Sequence, residues 1–325
     1  MKPKVYITRL LPENIVAKIS AVCDVSMWQE EDTPVPYDVL TEAVRDVDGL
    51  LCLLTDQIDA NLIDQAANLK IISTLAVGFN NIDIEAAAGK GIIVSNTPDV
   101  LTETTADLTF ALMLASARRI VEASDFTRQG KWKTWSPMLL AGQDIYGASL
   151  GIIGMGRIGE ALVRRAQAFN MKVSYYNRSR KPETEQSLSI EYKDLNTLLG
   201  ESDFVALMLP YTPETHHLID RPQLAGMKQS AILINSARGG IVNEAALYDA
   251  LVAGQIWAAG LDVFEQEPVP VDHPLLTLPN VTVLPHIGSA SINTRMKMGD
   301  MAAEHLLDGL AGKEPRYTVK PRAAE

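Results

Sequence analysis

Cysteine is nearly absent: Cys23 and Cys52 are the only two in 325 residues, and neither sits in a CxxC or Cys/His spacing. That excludes a disulfide-stapled secreted scaffold and points to two free thiols in a reducing, cytoplasmic setting. Any apolar run near the ~18–20 residues of a membrane span is also missing, so no membrane partner is expected. The opening MKPKVYITRLLPEN has neither the apolar core nor the cleavage site of a secretory leader. Positive charge is in deficit, with 29 Lys and Arg against 40 Asp and Glu for a net charge of −11. A chain so acidic lacks the global field that draws proteins to nucleic acid, and none is expected as a partner. Repeats at periods of about 20–50 residues are absent, which excludes solenoids. What remains is ordinary globular composition, 47% hydrophobic and 21% charged, in a chain long enough for about two domains.

The N-terminal third alternates apolar runs at 4–8, 25–29, 49–54, 69–75 and 92–96 with helix-period segments at about 12–22, 36–45, 59–67 and 82–89. Strand–helix alternation at this spacing predicts a parallel sheet covered by helices on both faces. A strand buried on both faces reads as an unbroken apolar run, as Leu50-Leu51-Cys52-Leu53-Leu54 does. A second alternation starts near 148, with strands at 149–154, 172–177, 203–209, 231–235, 258–263 and 281–285. Its helices fall at about 156–169, 193–200, 220–226 and 243–253, and single long helices are expected over 104–123 and 291–310. The Pro- and charge-rich tail 313–325 is expected at the surface.

The strongest local signal is Leu150-Gly151-Ile152-Ile153-Gly154-Met155-Gly156-Arg157-Ile158-Gly159, a GxGxxG that ends an apolar strand and opens an amphipathic helix. Gly154 permits the tight turn, Gly156 lets the backbone approach a pyrophosphate, and Gly159 allows close helix–strand packing. The helix N-terminus supplies N–H donors and a positive dipole. The alternative is a glycine-rich turn with no ligand.

An NAD-preferring site carries Asp or Glu at the end of the next strand, for the ribose hydroxyls. Here the sequence reads Asn177-Arg178-Ser179-Arg180-Lys181, basic and without a carboxylate in an otherwise acidic chain. An arginine on a 2′-phosphate is worth roughly 1.5–3 kcal/mol, so NADP is expected in preference to NAD, which stays possible. The competing reading is a solvated basic turn.

Three polar residues follow strands of the second half: Arg238 in Asn235-Ser236-Ala237-Arg238-Gly239-Gly240, Glu267 in Asp262-Val263-Phe264-Glu265-Gln266-Glu267-Pro268, and His286 in Leu284-Pro285-His286-Ile287-Gly288-Ser289. Ligands of open α/β sheets collect at the carboxyl ends of strands, so the three can converge. A guanidinium can hold a carboxylate and polarise a keto oxygen. An imidazole can deliver a proton, and a carboxylate behind it can orient the ring and raise its pKa. Each also has a plain alternative: a surface ion pair, a turn residue and a hydrogen-bonded strand end.

With the segments Leu209-Pro210-Tyr211-Thr212-Pro213-Glu214-Thr215 and 233–242, these motifs resemble the D-isomer-specific 2-hydroxyacid dehydrogenases over nearly the whole chain. Segments 100–107, 130–137 and 262–268 place it nearest the branch of glyoxylate/hydroxypyruvate and 2-ketogluconate reductases. The resemblance implies an α/β protein with a Rossmann-type cofactor domain at 100–288 and a flavodoxin-like substrate domain from 1–99 plus 289–325, the active site lying in the cleft between. It implies reduction of a small 2-keto acid (glyoxylate, hydroxypyruvate or 2-ketogluconate) with Arg238, Glu267 and His286 as the catalytic set.

The resemblance further implies that the backbone amides of Val77 and Gly78 receive the substrate carboxylate, with Ser289 and Arg295 near the substrate. Asp262 and Thr105 lie by the nicotinamide, Arg157 and Ile158 by the pyrophosphate, Pro210 and Thr215 on the adenosine side. Ala237 and Gly288 complete the cofactor contacts. Family members are homodimers joined through the cofactor domain, and 132–137 resembles an arm that brings Trp135 toward the neighbouring subunit's site. For Trp132 ordinary interface packing is as good a reading.

Other conspicuous residues have plain readings. His216 and His217 are expected in a solvated loop, His273 in a turn before a proline and His305 on a polar helix position. Met296, Met298 and Met301 suit packing or surface, and Glu30-Glu31-Asp32 a solvated turn. No metal is expected. Two other functions stay open: a non-catalytic dinucleotide-sensing regulator of corepressor type, and an NAD-dependent phosphoglycerate dehydrogenase.

Overall fold

Two sheets account for the alternating apolar runs. The computed structural model describes residues 2–321, and the chain divides into a unit of Met1–Leu101 with Ser291–Glu325 and a unit of Thr102–Ala290. In the first unit β1 (Lys4–Ile7), β2 (Asp24–Met27), β3 (Gly49–Cys52), β4 (Ile71–Thr74) and β5 (Ile93–Ser95) pair in parallel. Helices α1 (Glu13–Ser20), α2 (Tyr37–Ala43), α3 (Ala60–Gln65) and α4 (Ile84–Gly89) connect them. The strand order β2-β1-β3-β4-β5 is flavodoxin-like. Asp59 and Asp83 start α3 and α4 by accepting the Leu62 and Ala86 N–H groups, each at 2.9 Å.

The second unit opens with α5 (Thr102–Ala117) and α6 (Ile120–Arg128). The expected single helix 104–123 is therefore broken. Arg119 takes a left-handed conformation at φ 52°, and Glu122 grips its guanidinium at 2.7 and 2.8 Å. A parallel sheet follows, made of β6 (Ser149–Ile153), β7 (Lys172–Tyr176), β8 (Glu191–Tyr192), β9 (Phe204–Leu207), β10 (Ile232–Asn235), β11 (Ala258–Leu261) and β12 (Val281–Val283). Between these strands run α7 (Arg157–Ala168), α8 (Pro182–Leu188), α9 (Leu195–Glu201), α10 (Arg221–Ala225) and α11 (Glu244–Val252). The order β12-β11-β10-β9-β6-β7-β8 is doubly wound and reverses between β6 and β9, beside the glycine motif. Alternate residues feed two cores: Leu150, Ile152, Phe204 and Ile234 on one face, Ile153, Val205, Leu207 and Leu233 on the other.

The chain then returns to the first unit through α12 (Ile292–Leu310), capped where Ser291 accepts the Thr294 N–H. This helix covers the sheet face away from α2–α4. Gly299 gives way to Ile15 and Gly309 to Ile71, and Leu306 and Leu310 lie over Gly49. A short β13 (Thr318–Val319) adds antiparallel to β5, an edge that the sequence pattern does not announce. Met298 is buried as helix packing. His305 departs from expectation: it is 3% exposed, meets Tyr317 ring to ring at 5.9 Å and lies against the Asn96 backbone. Of the tail 313–325, residues 322–325 lie outside the described residues.

Candidate active site

At the carboxyl ends of β6, β7, β9, β10, β11 and β12 the second unit assembles most of the motifs singled out above. Gly154 ends β6 at φ 103°, a backbone closed to most side chains, and a Cβ there would lie 2.6 Å from the Met208 carbonyl. A Cβ at Gly156 would meet nothing within 4 Å, while one at Gly159 would strike the Gly154 oxygen at 2.7 Å. Gly156 and Arg157 are exposed, Ile158 half-buried, and no side chain caps the α7 N-terminus that they form. Backbone N–H groups and the positive end of the helix dipole thus face open space.

Asn177 follows β7 and turns its Oδ1 back to accept the Met155 N–H at 2.7 Å, bracing the glycine loop. Arg178 and Ser179 are exposed, and Arg178 makes no ion pair among the described residues. Arg180 departs from expectation, because a carboxylate does reach this turn. Glu185 of α8 takes the Arg180 guanidinium at 2.5 and 3.1 Å, and Glu160 takes Lys181 at 3.4 Å. Across the β6–β9 reversal, exposed Pro210 accepts the Thr215 hydroxyl at 3.0 Å.

The three candidate catalytic side chains share this unit. His286 Nδ1 lies 2.6 Å from Glu267 Oε2, and Glu267 Oε1 accepts the Phe264 N–H at 3.0 Å. Partial burial works to raise the Glu267 carboxyl, but the His286 hydrogen bond and charge outweigh it, with help from Phe264 and Arg238, and hold it below its ordinary range. With Nδ1 committed to Glu267, Nε2 is the nitrogen presented outward. His286 is left-handed at φ 54°, strain of about 1–2 kcal/mol for a side chain of this kind. It is held there by its N–H on the Asp262 carbonyl and by the Ile287 N–H on Asp262 Oδ1, both 2.8 Å.

Arg238 is half-buried after β10 and donates to the Ala237 carbonyl at 2.7 Å, while Ala237 N–H rests on Asn235 Oδ1 at 3.1 Å. Burial pulls the guanidinium down and the Glu267 charge works against that; it stays cationic. Asp262 is 1% exposed, and burial pushes its carboxyl up. Its Oδ2 is buried without a hydrogen-bond partner among the described residues, beside Gly288 and buried Thr105. Nothing in the sequence pattern marks Thr109 and Ser236, yet their buried hydroxyls meet at 2.7 Å between Thr105 and the Arg238 loop.

Ser289 is half-buried at the end of this unit and Trp135 is 76% exposed. His217 is not solvated as expected: it is half-buried, holds Glu265 at 2.9 Å and stacks on His216 at 3.8 Å. His273 pairs with Glu244 at 3.1 Å. A cavity of about 270 Å³ lined by Asp144, Tyr146, Asp203 and Ser230 lies at the amino ends of β6 and β9 and holds none of the motif residues.

The remaining candidates belong to the first unit. Val77 and Gly78 follow β4, and their N–H groups donate to no acceptor among the described residues. Arg295 stands in the first turn of α12, its N–H on the Ser291 carbonyl at 2.9 Å. Among the described residues no cluster of three His, Cys, Asp or Glu is arranged to hold a metal ion, and no helix is long and apolar enough to cross a membrane.

A dinucleotide fits the second unit. Asp262 Oδ2, an acceptor without a partner among the described residues, can take an amide N–H, and the open space at Gly156 can take a pyrophosphate. Fold and glycine turn together define a dinucleotide-binding α/β oxidoreductase. Residues 110–288 match the family described as D-isomer specific 2-hydroxyacid dehydrogenase, NAD binding domain. A glyoxylate reductase of Korarchaeum cryptofilum is 50% identical over 320 residues, 98% of this chain and 96% of that protein. The crystal structure of the TT0316 protein of Thermus thermophilus superposes with TM-score 0.91 at 45% identity, covering 97% of this chain and 99% of that one. An NADPH-dependent glyoxylate/hydroxypyruvate reductase of Sinorhizobium meliloti, solved with NADP and malonate, gives 0.87 at 31% identity with both chains covered in full. The chain belongs to the D-isomer specific 2-hydroxyacid dehydrogenases and is an NAD(P)-dependent enzyme of that family.

Proposed function

We propose that the enzyme reduces small 2-keto acids to D-2-hydroxy acids with a preference for NADPH, glyoxylate being the first substrate to test. The observation that carries this reading is the Glu267–His286 pair at 2.6 Å, which leaves the outer imidazole nitrogen to give a proton. The reduced nicotinamide, when bound, supplies the hydride that goes to the keto carbon. His286 gives the proton to the keto oxygen from Nε2, Glu267 holds the ring, and Arg238 binds the carboxylate and draws electron density onto the oxygen. The N–H groups of Val77 and Gly78 receive the carboxylate, and Ser289 and Arg295 shape the substrate's surroundings. Asp262 and Thr105 bind the nicotinamide side. The α7 turn, with Arg157 and Ile158, takes the pyrophosphate, and Pro210, Thr215, Ala237 and Gly288 line the rest.

NADP preference rests on Arg178, the guanidinium of the turn after β7 that makes no ion pair among the described residues. Hydroxypyruvate and 2-ketogluconate are further candidate substrates, since guanidinium and backbone amides recognise only what these acids share. A homodimer through the second unit is supported by a run of exposed apolar residues: Ile120 and Val121 on α6, then Trp132, Trp135, Met138 and Tyr146. Trp135 is then available to a neighbouring subunit's site. Two free, buried thiols suit a cytoplasmic setting.

The test is initial rates of NADPH and NADH oxidation with glyoxylate, hydroxypyruvate and 2-ketogluconate, for wild type and His286→Ala. Turnover with NADPH that the variant abolishes is the expected result. Equal rates in both proteins would overturn the reading.

A further inference from the structure

Two peptide groups, Ala76–Val77 and Val77–Gly78, carry the N–H donors assigned above to the substrate carboxylate. In a trans peptide the C=O and N–H point to opposite sides of one rigid plane, so fixing one end aims the other. Both planes are held by their carbonyls. The Ala76 oxygen accepts the Thr97 N–H at 2.8 Å, which aims the Val77 N–H. The Val77 oxygen accepts Asn96 Nδ2, also at 2.8 Å, which aims the Gly78 N–H. Neither N–H donates to anything among the described residues. The arrangement is two outward donors on consecutive residues with their carbonyls tied down behind them, a small anion-binding concavity.

The first hold is backbone to backbone and indifferent to side-chain identity. The second depends on one amide side chain. Asn96 follows β5 directly, and β5 pairs with β4 through Ser73 and Ser95, so its backbone is set by the sheet. The His305 imidazole meets that backbone from α12.

We propose that Asn96 is a positioning residue for substrate, its side-chain amide holding the Val77–Gly78 peptide so that its N–H faces the carboxylate of a 2-keto acid. This rests on the assignment of the Val77–Gly78 loop to that carboxylate. Asn96 does not touch the reacting atoms, so its loss weakens substrate capture and leaves the chemical step alone.

Asn96→Ala and Asn96→Asp test it, the second keeping the side-chain volume while removing the donor. Glyoxylate KM should rise about tenfold in both, with kcat within about twofold and the KM for NADPH unchanged. Inhibition by oxalate, competitive with glyoxylate, should weaken in parallel. Asn96→Gln, which keeps the amide on a longer arm, should recover part of the loss. Glyoxylate KM within twofold of wild type in Asn96→Asp would overturn the proposal, as would a fall in kcat matched by a rise in the KM for NADPH, the mark of a general structural fault. Should wild type reduce none of the three keto acids, the functional reading fails instead. Calorimetric titration of oxalate into wild type and Asn96→Asp then decides this point separately: equal binding overturns it, and loss in the variant supports it.

Discussion

Glu185 reaches back from α8 to hold Arg180 at two points, 2.5 and 3.1 Å, and leaves Arg178 as the guanidinium of the turn after β7 without an ion pair among the described residues. Arg180 also lies over the Tyr192 ring at 5.4 Å, so its charge is already answered on two sides. A charge-assisted contact to a 2′-phosphate is worth roughly 1.5–3 kcal/mol, about ten- to a hundredfold. Arg178→Ala should therefore lower kcat/KM for NADPH by at least about tenfold and leave that for NADH near wild type. Arg180→Ala should change the ratio little. The ratio of the two cofactors' kcat/KM values in each variant is the measurement, and a larger effect at Arg180 would reverse the assignment.

Removal of the His286 imidazole should cost about 10²- to 10⁴-fold in kcat, the usual worth of a positioned proton donor. Reduction consumes a proton, so the rate should fall as pH rises. Glu267 holds the ring through Nδ1, so Glu267→Gln should reduce kcat while the KM for NADPH holds. A kcat unchanged in Glu267→Gln would remove Glu267 from the proton path.

Burial pulls the His305 imidazole below its ordinary pKa, Asp308 and Glu304 opposing it only in part. The unfolded chain therefore binds a proton more readily than the folded one. Stability from this group is complete above about pH 6.5 and drains away as pH falls through the lower folded value. Denaturant unfolding between pH 5 and 8 should show this acid-side loss, and His305→Gln should flatten it. An unchanged slope would mean that other groups carry the acid sensitivity.

Cys23 and Cys52 are 4% and 0% exposed, and burial pushes both thiols up, Cys52 far up. Thiol reagents act on the thiolate. The native protein should leave both unreacted at neutral pH, and two equivalents per chain should appear only on unfolding. Fast labelling of Cys52 in native protein would contradict its place in β3.

The glycine turn is legible because its constraint is local: Gly154 must take a positive φ, and sequence spacing reports that directly. The strands at 49–52 and 71–74 are legible for a similar reason, since burial on both faces leaves an apolar run. The break at Arg119 is not, because no glycine or proline marks it. It is imposed by Glu122 three residues on and by the Ala141 carbonyl, which Arg119 reaches across the following segment. His305 sits in a polar stretch of sequence, and what buries it is chain beyond the helix end, Tyr317 included. The Arg180 pair did leave a trace: Pro182 followed by Glu183 and Glu185 is a helix-start signature, and α8 is what carries Glu185 to the arginine. Asn96 has no such trace, because its role depends on which carbonyl β5 happens to end beside.

The first unit is built from both ends of the chain, and this has a consequence during synthesis. When Leu101 leaves the ribosome, the sheet face that presents Gly49 and Ile71 still waits for Leu306, Gly309 and Leu310. The whole of the second unit must be translated first, on the order of ten to forty seconds at about 5–20 residues per second. For that interval the part of the N-terminal sheet that α12 covers, beside α1, stays bare, an apolar surface of the kind that holdase chaperones bind. A circular permutant that begins at Ser291 and joins the old termini would supply α12 before the strands it covers, and should shorten that exposure.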